Sequence, residues 1–146
     1  MKLYDSKMAP NPRRVRVFLA EKGIDVPTVG VDLGEKENQS DAFLAINPLG
    51  RVPGLELDDG THLAETVAIC RYFEGTQPDP ALMGVDAKDR AVVEMWQRRM
   101  EFQVFENITA LCGIDFGRIT KIRIQPDQKN LARWHESVSA RRSASA

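Results

Sequence analysis

Apolar positions follow strand spacing and then helix spacing, in turn, along the first half of the chain. Lys2-Leu3-Tyr4 reads as a short strand, and a loop from Ser6 to Pro10 follows it. Asn11-Pro12 then predicts a helix start, because Asn is a favoured N-cap and proline suits the first helical position. Val15, Phe18 and Leu19 share one helical face, and Gly23 supplies the stop. Val26 to Leu33 reads as a β-branched second strand despite Pro27 and Gly30. A charged loop from Gly34 to Gln39 leads to Ser40, which caps a short helix over Asp41 to Ile46.

Asn47-Pro48-Leu49-Gly50 is turn chemistry. The run Val52 to Leu57, the turn Asp58-Asp59-Gly60 and the run Thr61-His62-Leu63 then predict a β-hairpin. A helix follows from Thr66 to Glu74, with Val67, Cys70 and Phe73 inward and Gly75 as its stop. The order is β-α-β-α-β-β-α. Strands joined through a helix pair in parallel and hairpin strands pair antiparallel, so the sheet is mixed. Thr76 to Pro80 reads as a linker. Beyond it, Asp86 caps a long helix bearing Val92, Met95, Trp96 and Phe102 and running to Glu106. Ile108 to Ile122 makes another helical stripe, and Leu131, Trp134 and Val138 a last one. An α/β module of residues 1–77 followed by an all-α module of residues 85–146 is the predicted organisation.

Charge narrows the function classes. The 146 residues carry 20 Lys+Arg and 21 Asp+Glu, a formal charge of −1, and 42% are hydrophobic. That balance argues against a nucleic-acid binder, which needs a basic patch to displace counterions. Arg13, Arg14 and Arg16 on one helix read as a solvated face, with weak nucleic-acid binding as the rival. No apolar run approaches the ~20 residues that span a bilayer. Asp5 and Ser6 come too early for a signal-peptide core, so the cytoplasm is the expected compartment. Cys70 and Cys112 lie far apart in apolar stretches and read as buried, inert thiols. His62 and His135 lack a second ligand at metal spacing, so no metal is expected.

Three spots carry candidate chemistry. The amino end of the first helix, with its unpaired N–H groups and dipole, suits an anion such as a thiolate. Asn11 stands there, either merely capping the helix or capping through its oxygen while its NH₂ donates outward to a sulfur. Val52-Pro53 opens a strand, a position compatible with either peptide isomer. Glu65-Thr66 sits where a strand passes into a helix. The pair either caps that helix, or receives an ammonium on Glu65 and a carboxylate on Thr66 and the neighbouring N–H groups.

In this order the strings Pro10-Asn11-Pro12-Arg13-Arg14-Val15, Asn47 to Pro53 and Leu63-Ala64-Glu65-Thr66-Val67-Ala68-Ile69 resemble the cytosolic glutathione S-transferase family, of a bacterial type. The likeness is dense over residues 1 to about 80 and looser in the helical part. It implies a thioredoxin-like glutathione-binding domain followed by an all-α domain. It implies a cis Val52-Pro53 bond, with the Val52 backbone pairing with the cysteinyl part of glutathione. It implies that Glu65 and Thr66 hold the γ-glutamyl end, and that Asn38 and Arg51 contact the glycyl end. A homodimer acting on glutathione and a small apolar electrophile, without nucleic acid or membrane, is the matching partner set.

Two departures shape the expectation. Ala9 stands where several classes of the family carry a catalytic serine, and alanine cannot hydrogen-bond a thiolate. Asn11 falls where nu-class relatives carry an asparagine near the sulfur, so Asn11 is the predicted catalytic residue. Ser6 is the fallback hydroxyl, and Tyr4 the third choice. The second departure is an apparent junction at Glu106-Asn107, as though one helix were absent and the helical domain incomplete, which would leave an apolar face uncovered. The expected activity is thiolate activation for attack on the electrophile, with disulfide reduction as a variant. The rival is a shortened, non-catalytic relative that binds or scaffolds.

Overall fold

The strand predicted at the amino terminus forms as β1, Lys2–Asp5, with Leu3 and Asp5 buried and Lys2 and Tyr4 half-buried. The computed structural model describes residues 1–105 and Ala140. β1 pairs in parallel with β2, Thr28–Gly30, and antiparallel with β3, Gly54–Glu56. β3 pairs antiparallel with β4, His62–Ala64, so the sheet order is β2-β1-β3-β4. Helices α1, Pro10–Lys22, α2, Asp41–Leu44, and α3, Thr66–Thr76, complete the predicted order. This is the thioredoxin-like mixed sheet expected of the first module.

Two buried layers hold it together. Leu3 and Leu55 are register partners across β1 and β3, and with Val15 of α1 and Ile69 of α3 they are fully buried. α3 packs on both α1 and β4. Burying each such aliphatic side chain stabilises the fold by roughly 1.5–3 kcal/mol. A second cluster joins Val31, Phe43 and Val52, with Tyr4, Ala9 and Ile46 packed against it. Tyr4 meets Phe43 edge to face, with ring centroids 6.1 Å apart.

Several element ends differ from expectation. α1 starts at Pro10, two residues early, and Ala9 is its N-cap without any side-chain bond. Asn11 therefore does not cap the helix: proline at the first helical position fixes the start ahead of it. β2 spans only three residues, because Pro27 and Gly30 limit it. Pairing still extends past both ends through Leu3 N–H to the Pro27 carbonyl at 2.8 Å and Val31 N–H to the Asp5 carbonyl at 2.7 Å. β3 begins only after Val52-Pro53, whose peptide bond is cis. α2 is capped by Ser40 as expected but ends at Leu44. α3 runs through Gly75 to Thr76, since Gly75 does not adopt the left-handed conformation that ends a helix.

Lys22, in the last turn of α1, fixes the end of α3. Its buried ammonium donates to the carbonyls of Gln77 and Pro80 at 2.7 and 2.8 Å and pairs with Glu74 at 2.7 Å. The Gln77 amide returns a bond to the Lys22 carbonyl at 3.0 Å. Two carbonyls accept from the ammonium, and its charge is balanced by Glu74.

Residues 1–80 form one compact unit, and a second starts at Ala81. In the second, Asp86 caps α4, Ala87–Met100, by accepting from Asp89 N–H at 2.8 Å. The helix passes into a wide π turn over Glu101–Phe105. Val92, Met95, Trp96 and Phe102 are exposed. The later helices predicted over Ile108 to Val138, the junction at Glu106-Asn107, Cys112 and His135 lie outside the described residues. No described helix is long and apolar enough to cross a membrane.

Candidate functional site

The sheet register brings the three candidate spots to one end of the first unit. Tyr4, Gly54 and Ala64 are partners across β1, β3 and β4. Just beyond that row lie Asp5 and Ser6, the Val52-Pro53 pair that precedes Gly54, and Glu65-Thr66 after Ala64. Ala9, the cap of α1, packs against the cluster that contains Val52. Arg14 of α1 donates to the Thr66 hydroxyl oxygen at 3.0 Å, joining the second turn of α1 to the first turn of α3.

The amino end of α1 has an unusual donor inventory. Ala9 N–H bonds the Ser6 carbonyl at 2.9 Å and Arg13 N–H bonds the Ala9 carbonyl at 3.4 Å. Pro10 and Pro12 carry no N–H. Asn11 N–H is therefore the unpaired backbone donor of this turn among the described residues. Its side-chain amide has no partner among them either, and the residue is half-buried. Two donors from one residue thus stand at the positive end of a 13-residue helix. Ser6 is half-buried with its hydroxyl unpartnered among the described residues, and its carbonyl holds the turn into Ala9.

The Val52-Pro53 segment is held from behind. Buried Asn47 donates to the Arg51 carbonyl at 2.6 Å and accepts from Leu49 N–H at 3.1 Å. Asn38 donates to the Gly50 carbonyl at 2.6 Å. Gly50 has φ 60°, and a Cβ there would meet the Asn38 carbonyl at 3.0 Å and the Gln39 amide, so only glycine suits the turn. Asn38 and Arg51 thus come to one loop. Asn38 braces it, while Arg51 is exposed.

Glu65 is the most unusual residue of the site. Its backbone has φ 67° and ψ 121°, outside the regions that L-residues favour. It occupies the N-cap position of α3 yet makes no cap bond, and its exposed carboxylate has no ion pair among the described residues. The capping alternative for Glu65 is thereby removed. Thr66 next to it is buried, 8% exposed.

Other titratable groups divide clearly. Tyr4 donates its hydroxyl to Glu56 at 2.8 Å, and that bond holds the Glu56 carboxyl below its usual range. Tyr4 is committed to the sheet, as its strand position suggests. Burial pushes the Cys70 thiol up to about 12, with the Arg14 charge opposing. It is a neutral core group at ordinary pH. Arg13 and Arg14 are exposed, as a solvated face requires, but two of the three arginines also reach other elements: Arg14 bonds Thr66, and half-buried Arg16 pairs with buried Asp5 at 2.7 Å. Sequence reasoning missed Arg14, Arg16 and Asn47 as supporting residues. The i, i+2 spacing of the two arginines conceals that each reaches a different element.

Residues 1–75 match the family described as glutathione S-transferase, N-terminal domain. Glutathione S-transferase 2 of Saccharomyces cerevisiae is 38% identical over 111 residues, 75% of this chain and 48% of that protein. Maleylacetoacetate isomerase of Pseudomonas aeruginosa is 42% identical over 93 residues, 62% of this chain and 44% of that protein. The chain thus spans about half the length of the curated relatives it matches. A glutathione S-transferase domain-containing protein of Marinobacter aquaeolei superposes with a TM-score of 0.85 at 30% identity, covering 98% of this chain and 99% of that one.

Proposed function

Since the chain belongs to the glutathione S-transferase family, whose N-terminal domain its first 75 residues match, we propose that it binds glutathione at this end of the sheet and ionises its thiol for attack on a small apolar electrophile. The observation that carries the reading is Glu65. An exposed carboxylate held at φ 67°, with no cap bond and no ion pair among the described residues, serves no packing purpose, and strain of that kind concentrates where a ligand is met.

The ligand's two ends fit the groups present. Glu65 takes the ammonium of the γ-glutamyl head, and Thr66 with the first N–H groups of α3 takes its carboxylate. The Val52 backbone pairs with the cysteinyl unit, and Arg51, with Asn38 behind it, lies toward the glycyl carboxylate. The sulfur then faces Asn11, with Ser6 as the neighbouring hydroxyl.

Thiolate formation follows from the donor inventory. A free thiol has a pKa near ~8.5, and each unit of depression requires ~1.36 kcal/mol of preferential stabilisation of the anion. A hydrogen bond to a charged group contributes roughly 1.5–3 kcal/mol. Asn11 N–H, Asn11 Nδ2 and the helix dipole together therefore suffice for a unit or more at pH 7. The thiol proton leaves to solvent. The sulfur lone pair forms a C–S bond to the electrophilic carbon, and the leaving group departs with its bonding pair. With a glutathionyl disulfide, the same thiolate attacks sulfur and expels the other thiolate. The reading includes a homodimer.

Retention on immobilised glutathione tests it. The native chain is retained and its melting temperature rises with glutathione, because a ligand of the native state stabilises it. Glu65→Ala loses both effects. A native chain that shows neither overturns the proposal.

A further inference from the structure

Met8 adds a means of regulation to the glutathione site, an inference that rests on the reading above. It is 91% exposed, against 53% for Met100, the next most exposed of the five methionines. Its neighbours fix its place. Ala9 N–H bonds the Ser6 carbonyl at 2.9 Å and Arg16 bonds the Lys7 carbonyl at 3.0 Å, so Met8 is a corner of a clamped turn immediately before the N-cap of α1. An apolar side chain at that position often folds over the first helical turn to meet the fourth helical residue. Here that residue is Arg13, exposed and charged, so the thioether stands in water beside the turn.

The first turn of α1 also lacks an acceptor. A side-chain oxygen at the N-cap usually accepts from the second or third helical N–H. Ala9 has no such oxygen and the third helical residue is Pro12. The second is Asn11, whose N–H and Nδ2 are unpaired among the described residues. A thioether is a weak acceptor, whereas its sulfoxide is polar and can be reduced back. The methionine side chain is unbranched with three rotatable bonds, so its sulfoxide oxygen can turn back over the helix start.

We propose that Met8 is a reversible oxidation site that switches glutathione binding down: as the sulfoxide, its oxygen takes the Asn11 donors that the glutathione sulfur otherwise meets. In that step the thioether lone pair attacks one oxygen of a hydroperoxide, and the S–O bond forms as the O–O bond breaks. The proton of the transferred hydroxyl moves to the departing oxygen, which leaves as water or an alcohol. Sulfur gives up an electron pair and the peroxide is reduced. A sulfoxide reductase supplied with a thiol reverses the change.

Mild hydrogen peroxide treatment of the full chain, followed by peptide mass spectrometry and calorimetric titration with glutathione, tests this. Met8 should gain an oxygen before Met100. Glutathione affinity should then fall about tenfold, the effect of losing one hydrogen bond to a charged acceptor. It should return after treatment with methionine sulfoxide reductase and dithiothreitol. Met8→Leu, treated alike, should stay within about twofold of its untreated affinity, which separates Met8 from the cysteines and the other methionines. Asn11→Ala should lose no more than about threefold on oxidation, because the sulfoxide then has lost one of its two targets. A Met8 oxidised no sooner than Met100, an oxidised Met8 with unchanged affinity, or an equal loss in Met8→Leu or Asn11→Ala overturns the Met8 proposal alone. An untreated native chain that does not bind glutathione overturns the reading beneath it.

Discussion

Arg16 holds both carboxylate oxygens of Asp5 through one guanidinium nitrogen, at 2.7 and 2.8 Å, while its second nitrogen donates to the Lys7 carbonyl at 3.0 Å. One side chain of α1 thereby fixes the end of β1 and the loop that carries Ser6. The pair is mostly enclosed, with side-chain exposures of 20% and 8%. Removing the cation alone would strand Asp5.

Arg16→Met should therefore destabilise the chain by about 3 kcal/mol, the usual consequence of leaving one partner of an enclosed pair. Asp5→Asn/Arg16→Met should recover part of that loss. Urea unfolding of both variants checks this. A midpoint unchanged in Arg16→Met would show that the clamp contributes nothing.

Glu65→Gly should separate stability from binding. Glycine tolerates φ 67°, so relief of strain should leave the variant as stable as the native chain or more stable by about 1 kcal/mol. Glutathione retention should nonetheless disappear. Thermal melts with and without glutathione read both effects, and a destabilised Glu65→Gly that still binds would refute the assignment.

Lys22→Met should destabilise by about 3 kcal/mol or more, because two carbonyls lose their donor and Glu74 loses its counter-ion inside the fold. The affected contacts join the ends of α1 and α3, far along both helices from Asn11 and Thr66. Glutathione affinity measured well below the melting temperature should stay near native.

Cys70 supplies a pH signature. Its thiol is raised from 9.0 to about 12 by burial, so the unfolded chain ionises there first. Stability from this group is complete below pH 9 and falls as pH rises toward 12, since the native state then binds the extra proton. Comparing native and Cys70→Ala chains by urea unfolding from pH 7 to 11 should show a decline present only with the thiol. In a Cys112→Ser background, Cys70 should resist a thiol reagent at pH 8 until the chain is unfolded. Prompt labelling of the folded chain would contradict its burial.

Much of this arrangement was legible in the residue pattern because it depends on local chemistry. The Asp58-Asp59-Gly60 turn, the Ser40 and Asp86 caps and the Asn47-to-Gly50 turn are each decided within a few residues. Element ends decided by competition were less legible. Asn11 is a good cap by type, yet Pro10 takes the first helical position and moves the cap to Ala9. Gly75 is a good stop by type, yet α3 continues past it, and Gln77, which follows the helix, bonds Lys22 from another element. The long-range partners of Arg14, Arg16 and Lys22 lie 52, 11 and 52 or more positions away, and no spacing rule connects them. Among the site residues, Glu65 was legible by type, but its strained backbone was not.

The central claim concerns the sulfur, and its pKa in the bound state tests it most directly. Thiolate ultraviolet absorbance of glutathione bound to the native chain, followed against pH, should titrate at least about one unit below the free thiol. Asn11→Ala removes one of the two Asn11 donors and keeps the backbone N–H, so its midpoint should rise by about one unit without returning fully to the free value. A bound thiol that titrates like free glutathione in the native chain, or a midpoint unmoved by Asn11→Ala, would contradict the account.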